Sequence, residues 1–347
     1  MTSPARKRTP PIRPGRAWGA LLLGLLLVGG CDAPQAPPTD DATAKPQALR
    51  LGISNSIMST PVLIAEAQDL LTAQGLALDL TYYNSGKQAL AALLAGQIDV
   101  STTADAPIMR AVLDGQDGVV ILATFIYSHA HGKILARRSQ GIETPTDLRG
   151  KRMGLEKNTT ADLFQQVLLI ESGVDLDTVE GIDLPTERLA AAIEAGEVDA
   201  IATWEPHISH AAQTLGDDAV IFTSKEGLRL TFNLVTRPSV VAQHRETLVR
   251  LLRAVEAGVE FANGQPRQAQ RIISERLGIP VAVIERQWND YVFKLFLDQG
   301  LLLTLEAEAR WHLRDMGKPN QPLPDFLRYI DPGPLRQLIP GSVTLIR

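Results

Sequence analysis

The chain has 347 residues, 45% hydrophobic and 21% charged, enough to bury a large core and sized for two domains or lobes. Its 34 basic and 39 acidic residues leave a net charge of −5, which argues against a nucleic-acid or anionic-lipid binding surface. A single cysteine excludes a disulfide framework.

Arg6, Lys7, Arg8, Arg13 and Arg16 precede an apolar run, Ala17 to Gly30, which stops at Cys31. That is the pattern of a secretion signal over residues 1–30. At 14 residues the run is shorter than the roughly 20 needed to span a bilayer, so it is not expected to be a permanent anchor. Val28-Gly29-Gly30-Cys31 resembles the lipobox of bacterial lipoproteins, which implies lipidation of Cys31 and attachment to a membrane. Residues 31–48 carry four prolines among polar residues and read as a flexible tether. Removing residues 1–30 takes away five of the 34 basic residues and none of the 39 acidic ones, leaving 29 against 39, a net of −10.

From Leu49 onward, β-like runs alternate with helical patterns. The runs are Leu49–Ser54, Ala77–Tyr82, Ile98–Thr102, Val119–Phe125, Ile134–Arg137, Arg152–Leu155, Val198–Thr203 and Leu234–Thr236. Helical patterns cover Pro61–Gln74 and Lys87–Ala95. This alternation predicts an α/β fold with mostly parallel sheets flanked by helices. The last hundred residues read as helical, with one stripe at Leu248, Leu251, Leu252, Val255 and Val259 and another at Ile284, Trp288, Tyr291 and Leu295. A further helix is expected from Thr304.

An internal echo adds a second level of order. Ala95-Gly96-Gln97-Ile98-Asp99 recurs 100 residues later as Ala195-Gly196-Glu197-Val198-Asp199, and Thr103 and Asp105 match Thr203 and Glu205 at the same offset. Gly52–Ser56 has a counterpart in Gly154–Asn158. Two similar lobes explain the repetition, and polar residues at strand carboxyl ends are where open α/β sheets bind ligands.

Pro61–Ala67 with Gly75-Leu76, Ala95–Val100, Thr146–Gly154, Ala195–Ala200 and the tripeptide Trp204-Glu205-Pro206 together resemble the periplasmic substrate-binding proteins of the nitrate/sulfonate/taurine importer group, which includes relatives that bind a thiamine pyrimidine precursor. The resemblance runs from about Leu49 to Leu297. It implies a two-lobed, hinged periplasmic-binding-protein fold of type II. Lobe 1 would comprise residues 49–132 and 233–347, and lobe 2 residues 133–232. It also implies a monomer that delivers a small molecule to an ABC importer permease, with no cofactor.

Candidate ligand contacts follow from the strand ends and helix starts. Ser54, Ser56, Asn158, Thr159 and Thr160 precede or open helices, where they act as caps, as anion contacts, or as both. Ser85-Gly86 permits close backbone approach to a ligand or makes a simple turn. Thr103 and Asp105 end a strand where the family places ligand contacts. Tyr127 precedes the expected crossing between lobes, and Trp204-Glu205 stands at the matching point of lobe 2. Asp105 on one jaw and Glu205 on the other are expected to face a shared cleft and accept from an ammonium or ring N–H. A zwitterion such as an aminosulfonate and a heteroaromatic vitamin precursor both suit that mixture, and an inorganic anion suits it least.

Three rival functions arise. His129 with His131, and His207 with His210, form two close pairs that zinc could use, though no third ligand is set by spacing. An enzyme on this fold is the second, because some relatives of the group are enzymes that depend on cysteines. Here the only cysteine lies in the lipobox, and no Ser-His-Asp order, Walker loop or GxGxxG can be read. An extracytoplasmic sensor domain is the third.

Overall fold

The computed structural model describes residues 48–224 and 229–346. The expected signal, tether and Cys31 lie outside the described residues. Among the described residues, no helix is long and apolar enough to cross a membrane.

The strands, in chain order, are β1 (Leu49–Ser54), β2 (Leu78–Tyr83), β3 (Val100–Ala104), β4 (Val120–Ser128), β5 (Lys133–Arg137), β6 (Arg152–Leu155), β7 (Glu180–Asp183), β8 (Ala200–Thr203), β9 (Ala219–Phe222), β10 (Leu230–Thr236) and β11 (Tyr291–Phe296). They form two sheets, one in the order β11-β4-β10-β3-β1-β2 and one in the order β7-β6-β8-β5-β9. The chain leaves the first sheet between β4 and β5 and returns with β10, three residues before the expected return at 233. Each sheet is mixed. The expected parallel pairing holds for β2-β1-β3 and β7-β6-β8, whereas the strands on either side of the two passages pair antiparallel.

The helices of the first lobe are α1 (Thr60–Ala67), α2 (Leu70–Ala73), α3 (Gly86–Leu94) and α4 (Asp105–Leu113). The second lobe holds α5 (Thr160–Glu171), α6 (Leu189–Glu194) and α7 (His207–Leu215). The tail adds α8 (Pro238–Gly264), α9 (Pro266–Leu277), α10 (Val281–Gln287), α11 (Gln299–Asp315) and α12 (Gly333–Leu338), which share one core with the first sheet. The second sheet has a separate core on each face, one built under Met153, Leu155 and Phe164 and the other under Leu189, Ile193 and Ile208.

The tail departs from its all-helical reading. Ile284 lies in α10, but Tyr291, Phe293 and Leu295 are buried on one side of β11 while Val292 and Lys294 are exposed. A spacing of four is even, so Tyr291 and Leu295 fit a strand as well as a helix. The following helix starts at Gln299, because Asp298 accepts from the Leu301 N–H at 3.0 Å and caps it.

The repeated segments have the same mechanical role in both lobes. Gly96 and Gly196 take left-handed backbone, with φ of 73° and 72°, and end α3 and α6. Asp99 then accepts from the backbone N–H of Arg50 at 3.0 Å and from its Nη2 at 2.7 Å. Asp199 does the same for Arg152 at 2.9 and 2.8 Å. Each aspartate thus clips its own strand β3 or β8 to the start of β1 or β6.

Candidate functional site

A narrow cleft lies between the two lobes. From the first lobe it is lined by Ser54, Ser56, Gly86, Lys87, Ala104 and Pro107, with Leu230 and Phe232 from β10. His131, Thr159, Thr160 and Trp204 close it from the other side. Six of the expected residues, Ser54, Ser56, Gly86, Thr159, Thr160 and Trp204, therefore share one hollow.

Helix starts converge on it from both lobes. Gly86 and Thr160 are the first residues of α3 and α5, positions whose amides have no intrahelical partner. Ser85 Oγ accepts from the Gln88 N–H at 3.2 Å, and Thr159 Oγ1 from the Ala161 N–H at 3.2 Å, so both act as caps that fix those first turns. Ser56 Oγ likewise accepts from the Met58 N–H in the turn leading to α1. Among the described residues, Lys87 is the one charged side chain lining the cleft. The helix dipoles make the cleft attractive to an anion, and the Lys87 ammonium, which also faces Glu156 Oε1 at 3.9 Å, adds to them only in part.

The lobes are drawn together around this space. Lys87 Nζ donates to the Lys157 carbonyl at 2.6 Å, Gln88 Nε2 to Glu187 Oε2 at 2.9 Å, and Trp311 Nε1 to Gln166 Oε1 at 2.7 Å. His207 Nε2 donates to the Asn84 carbonyl at 3.2 Å.

Other expected residues stand elsewhere. The expectation that Asp105 and Glu205 face each other across the cleft is corrected. Asp105 is fully buried, and its Oδ2 accepts from the Thr231 N–H at 2.6 Å and Thr231 Oγ1 at 3.0 Å. Burial pushes its carboxyl up to about 6 in spite of those bonds. Glu205 turns from the cleft into a hollow on another side, where its Oε1 meets Lys133 Nζ at 2.9 Å. Tyr127 lies under the Arg229 guanidinium, 4.7 Å from ring centre to Cζ, and not in the cleft. Thr103 is buried behind Gly86, and Asn158 lines a neighbouring hollow with its N–H donating to Asp162.

Sequence reasoning missed Leu230, Phe232 and His131 as cleft residues. The first two carry no motif, but His131 adjoins the expected crossing at Gly132, which was a usable signal. Its ring stacks on Trp204 with centroids 6.3 Å apart. His207 and His210 contact the backbone carbonyls of Asn84 and Gly278, and no group of three or more metal-binding side chains gathers among the described residues.

Burial first, then the nearby Lys133 charge, lowers the pKa of His131 to about 3, while Glu205 opposes the change. An unfolded histidine titrates near 6.5. The folded state thus takes up the proton later, and the stability it contributes is present above about 6.5 and is lost as pH falls toward about 3. His131→Phe, which keeps a ring against Trp204, is expected to narrow the difference in melting temperature between pH 4 and pH 8. An unchanged difference would show that the fold does not shift the titration of His131.

A family model described as NMT1/THI5 like matches residues 56–269. A putative aliphatic sulfonates-binding protein of Bacillus subtilis (strain 168) is 27% identical over 272 residues, covering 76% of this chain and 79% of its own length. The alkanesulfonate-binding protein SsuA from Xanthomonas axonopodis pv. citri, solved bound to MOPS, has a TM-score of 0.68 at 20% identity, over 86% of this chain and 99% of its own. The desulfurization enzyme DSZB shares the fold with a TM-score of 0.60 at 15% identity, over 84% of this chain and 99% of its own. The same fold thus carries both binding and chemistry, and fold alone does not choose between them. With well over half of its length matched, from the Ser56 turn into α9, the chain belongs to the NMT1/THI5-like family.

Proposed function

We propose that this protein is an extracytoplasmic solute-binding lipoprotein of an ABC importer, which captures a small organic oxyanion of the sulfonate class between its lobes. The observation that carries this reading is the meeting of the α3 and α5 starts, from opposite lobes, with Lys87 in one cleft. Amides at helix starts suit a sulfonate's oxygens, and the walls formed by Trp204, Phe232, Leu230 and Pro107 suit an organic body. A ligand held by both lobes favours the closed arrangement, which is what a permease would read. Lobe limits near 132 and 233, anchoring through Cys31, and a monomeric state belong to the same proposal. The sulfonate-binding names of the relatives support it.

The heteroaromatic alternative relied on the aromatics and on Asp105 and Glu205 as acceptors in the cleft; both carboxylates are engaged elsewhere, which removes the same support from a zwitterion's ammonium and leaves the anionic end as the part the cleft favours. Binding without turnover is the other half of the reading. Titration calorimetry and thermal melts of the purified protein with ethanesulfonate, taurine, nitrate and aminopyrimidines test both halves. A sulfonate at 100 times its Kd is expected to add about 2.7 kcal/mol of stability and to be recovered chemically unchanged. Binding of the pyrimidine alone, or release of sulfite from the sulfonate, sinks the proposal.

A further inference from the structure

Glu308, on α11, is a carboxyl group whose surroundings the fold explains only in part. It is 7% exposed and stands against Asp105, the residue already engaged by Thr231. Burial first, then the Asp105 charge and a hydrogen bond between the two side chains, raises the Glu308 carboxyl well above the ordinary range. That pairing accounts for one side of the group. Its Oε2 is buried with no hydrogen-bond partner, a condition that costs about 1–3 kcal/mol and is rare in native proteins.

The surroundings of Glu308 supply a reason. It lines a hollow together with His131, Thr160 and Leu230, three residues that also line the cleft, and with Arg229. It lines a second with Thr159, another cleft residue, and Trp311. A third, also edged by Arg229, adds Leu303 and Ala307 to Leu163 and Trp311, so its wall is mainly apolar. Arg229 is close by, but its guanidinium is paired with Asp298 at 3.1 Å and lies over Tyr127. Glu308 is therefore the acidic residue common to all three hollows, where the cleft passes into the space between α5 and α11; Asp162 and Asp315 line only the second of them.

We propose that this space is a second subsite, adjoining the cleft, in which Glu308 accepts a hydrogen bond from an N–H or O–H on the organic end of the bound anion. The inference rests on the oxyanion reading above and narrows it to anions that carry a hydrogen-bond donor remote from the acidic group. A plain alkyl end would leave Oε2 without a partner.

The test compares matched alkanesulfonates of two, three and four carbons, with and without a terminal amino or hydroxyl group, by titration calorimetry on the wild-type protein and on Glu308→Leu. At the length that reaches, the wild type is expected to favour the donor-ended member by roughly tenfold or more. In Glu308→Leu, with folding checked by circular dichroism, the ratio is expected to fall to within about twofold. Equal affinities within every wild-type pair overturn the subsite, whether or not the variant folds, and leave the oxyanion reading standing. A preference that survives in Glu308→Leu overturns the role of Glu308. Failure of every sulfonate to bind overturns the oxyanion reading and the subsite together.

Discussion

Lys133→Met is expected to lower folding stability by about 3–5 kcal/mol at neutral pH, as removal of one partner from a buried ion pair does. The Lys133 and Glu205 side chains are 7% and 3% exposed, and the pair is closed at 2.9 Å. Glu205 also accepts from the Ser209 N–H at 3.0 Å and from Gln287 Nε2 at 3.2 Å. Burial pulls its carboxyl up, but the Lys133 charge and these bonds outweigh it and hold it below the ordinary carboxylate range. In the wild type, then, the pair's contribution is present above the unfolded carboxylate pKa and is lost as pH falls through the folded one. Without the ammonium the balance reverses, and the variant's carboxyl is easier to bury when protonated. Urea melts are expected to show the deficit shrinking between pH 7 and pH 4, and Lys133→Met with Glu205→Gln recovering part of it. A deficit under about 1 kcal/mol at pH 7 would mean that water reaches the pair.

On the proposed sulfonate reading, Gly86→Val is expected to abolish measurable binding, a loss on the order of 100-fold or more. A Cβ at Gly86 would lie 2.9 Å from the Cα and Oγ1 of Thr103 and 3.3 Å from the Ala104 nitrogen. Backbone atoms of β3 cannot step aside as a flexible side chain can, so the first turn of α3 has to move off the strand. That takes the Gly86 amide and Lys87 out of the cleft and weakens the α3 contact with the lobe. Overpacking of this kind costs roughly 1–3 kcal/mol of stability, so the protein is expected to remain folded while binding is lost. Calorimetry on a variant with native circular dichroism measures the separation. Near-native affinity in such a variant removes the α3 start from the site.

The strand frame is legible in the sequence because buried strands appear as short apolar runs stopped by glycine or polar residues, and β1 and β6 fall on the residues so read. β7 is not legible, since Glu180–Asp183 is an edge strand with mostly exposed residues and no apolar run. β11 is hidden by the spacing ambiguity at Tyr291 and Leu295. Within the site, hydroxyls and glycine at helix starts can be read because capping chemistry is local. The direction of a carboxylate at a strand end is not local. Asp105 is turned by Thr231, 126 residues away, and Glu205 by Lys133, 72 residues away. Glu308 gives no signal at all in a helix that reads as ordinary amphipathic sequence.

The duplicated aspartate clips bear on how occupancy becomes a message. Since Asp99 holds Arg50 within one jaw and Asp199 holds Arg152 within the other, neither jaw borrows rigidity from its counterpart. In the proposed transport cycle each jaw then moves as a unit, and the bonds between them, such as Lys87 to the Lys157 carbonyl and Trp311 to Gln166, form and break with the swing. A guest gripped by a single jaw gains nothing from that swing, so it would sit as a silent tenant, and only a molecule that spans the gap would announce itself to an importer.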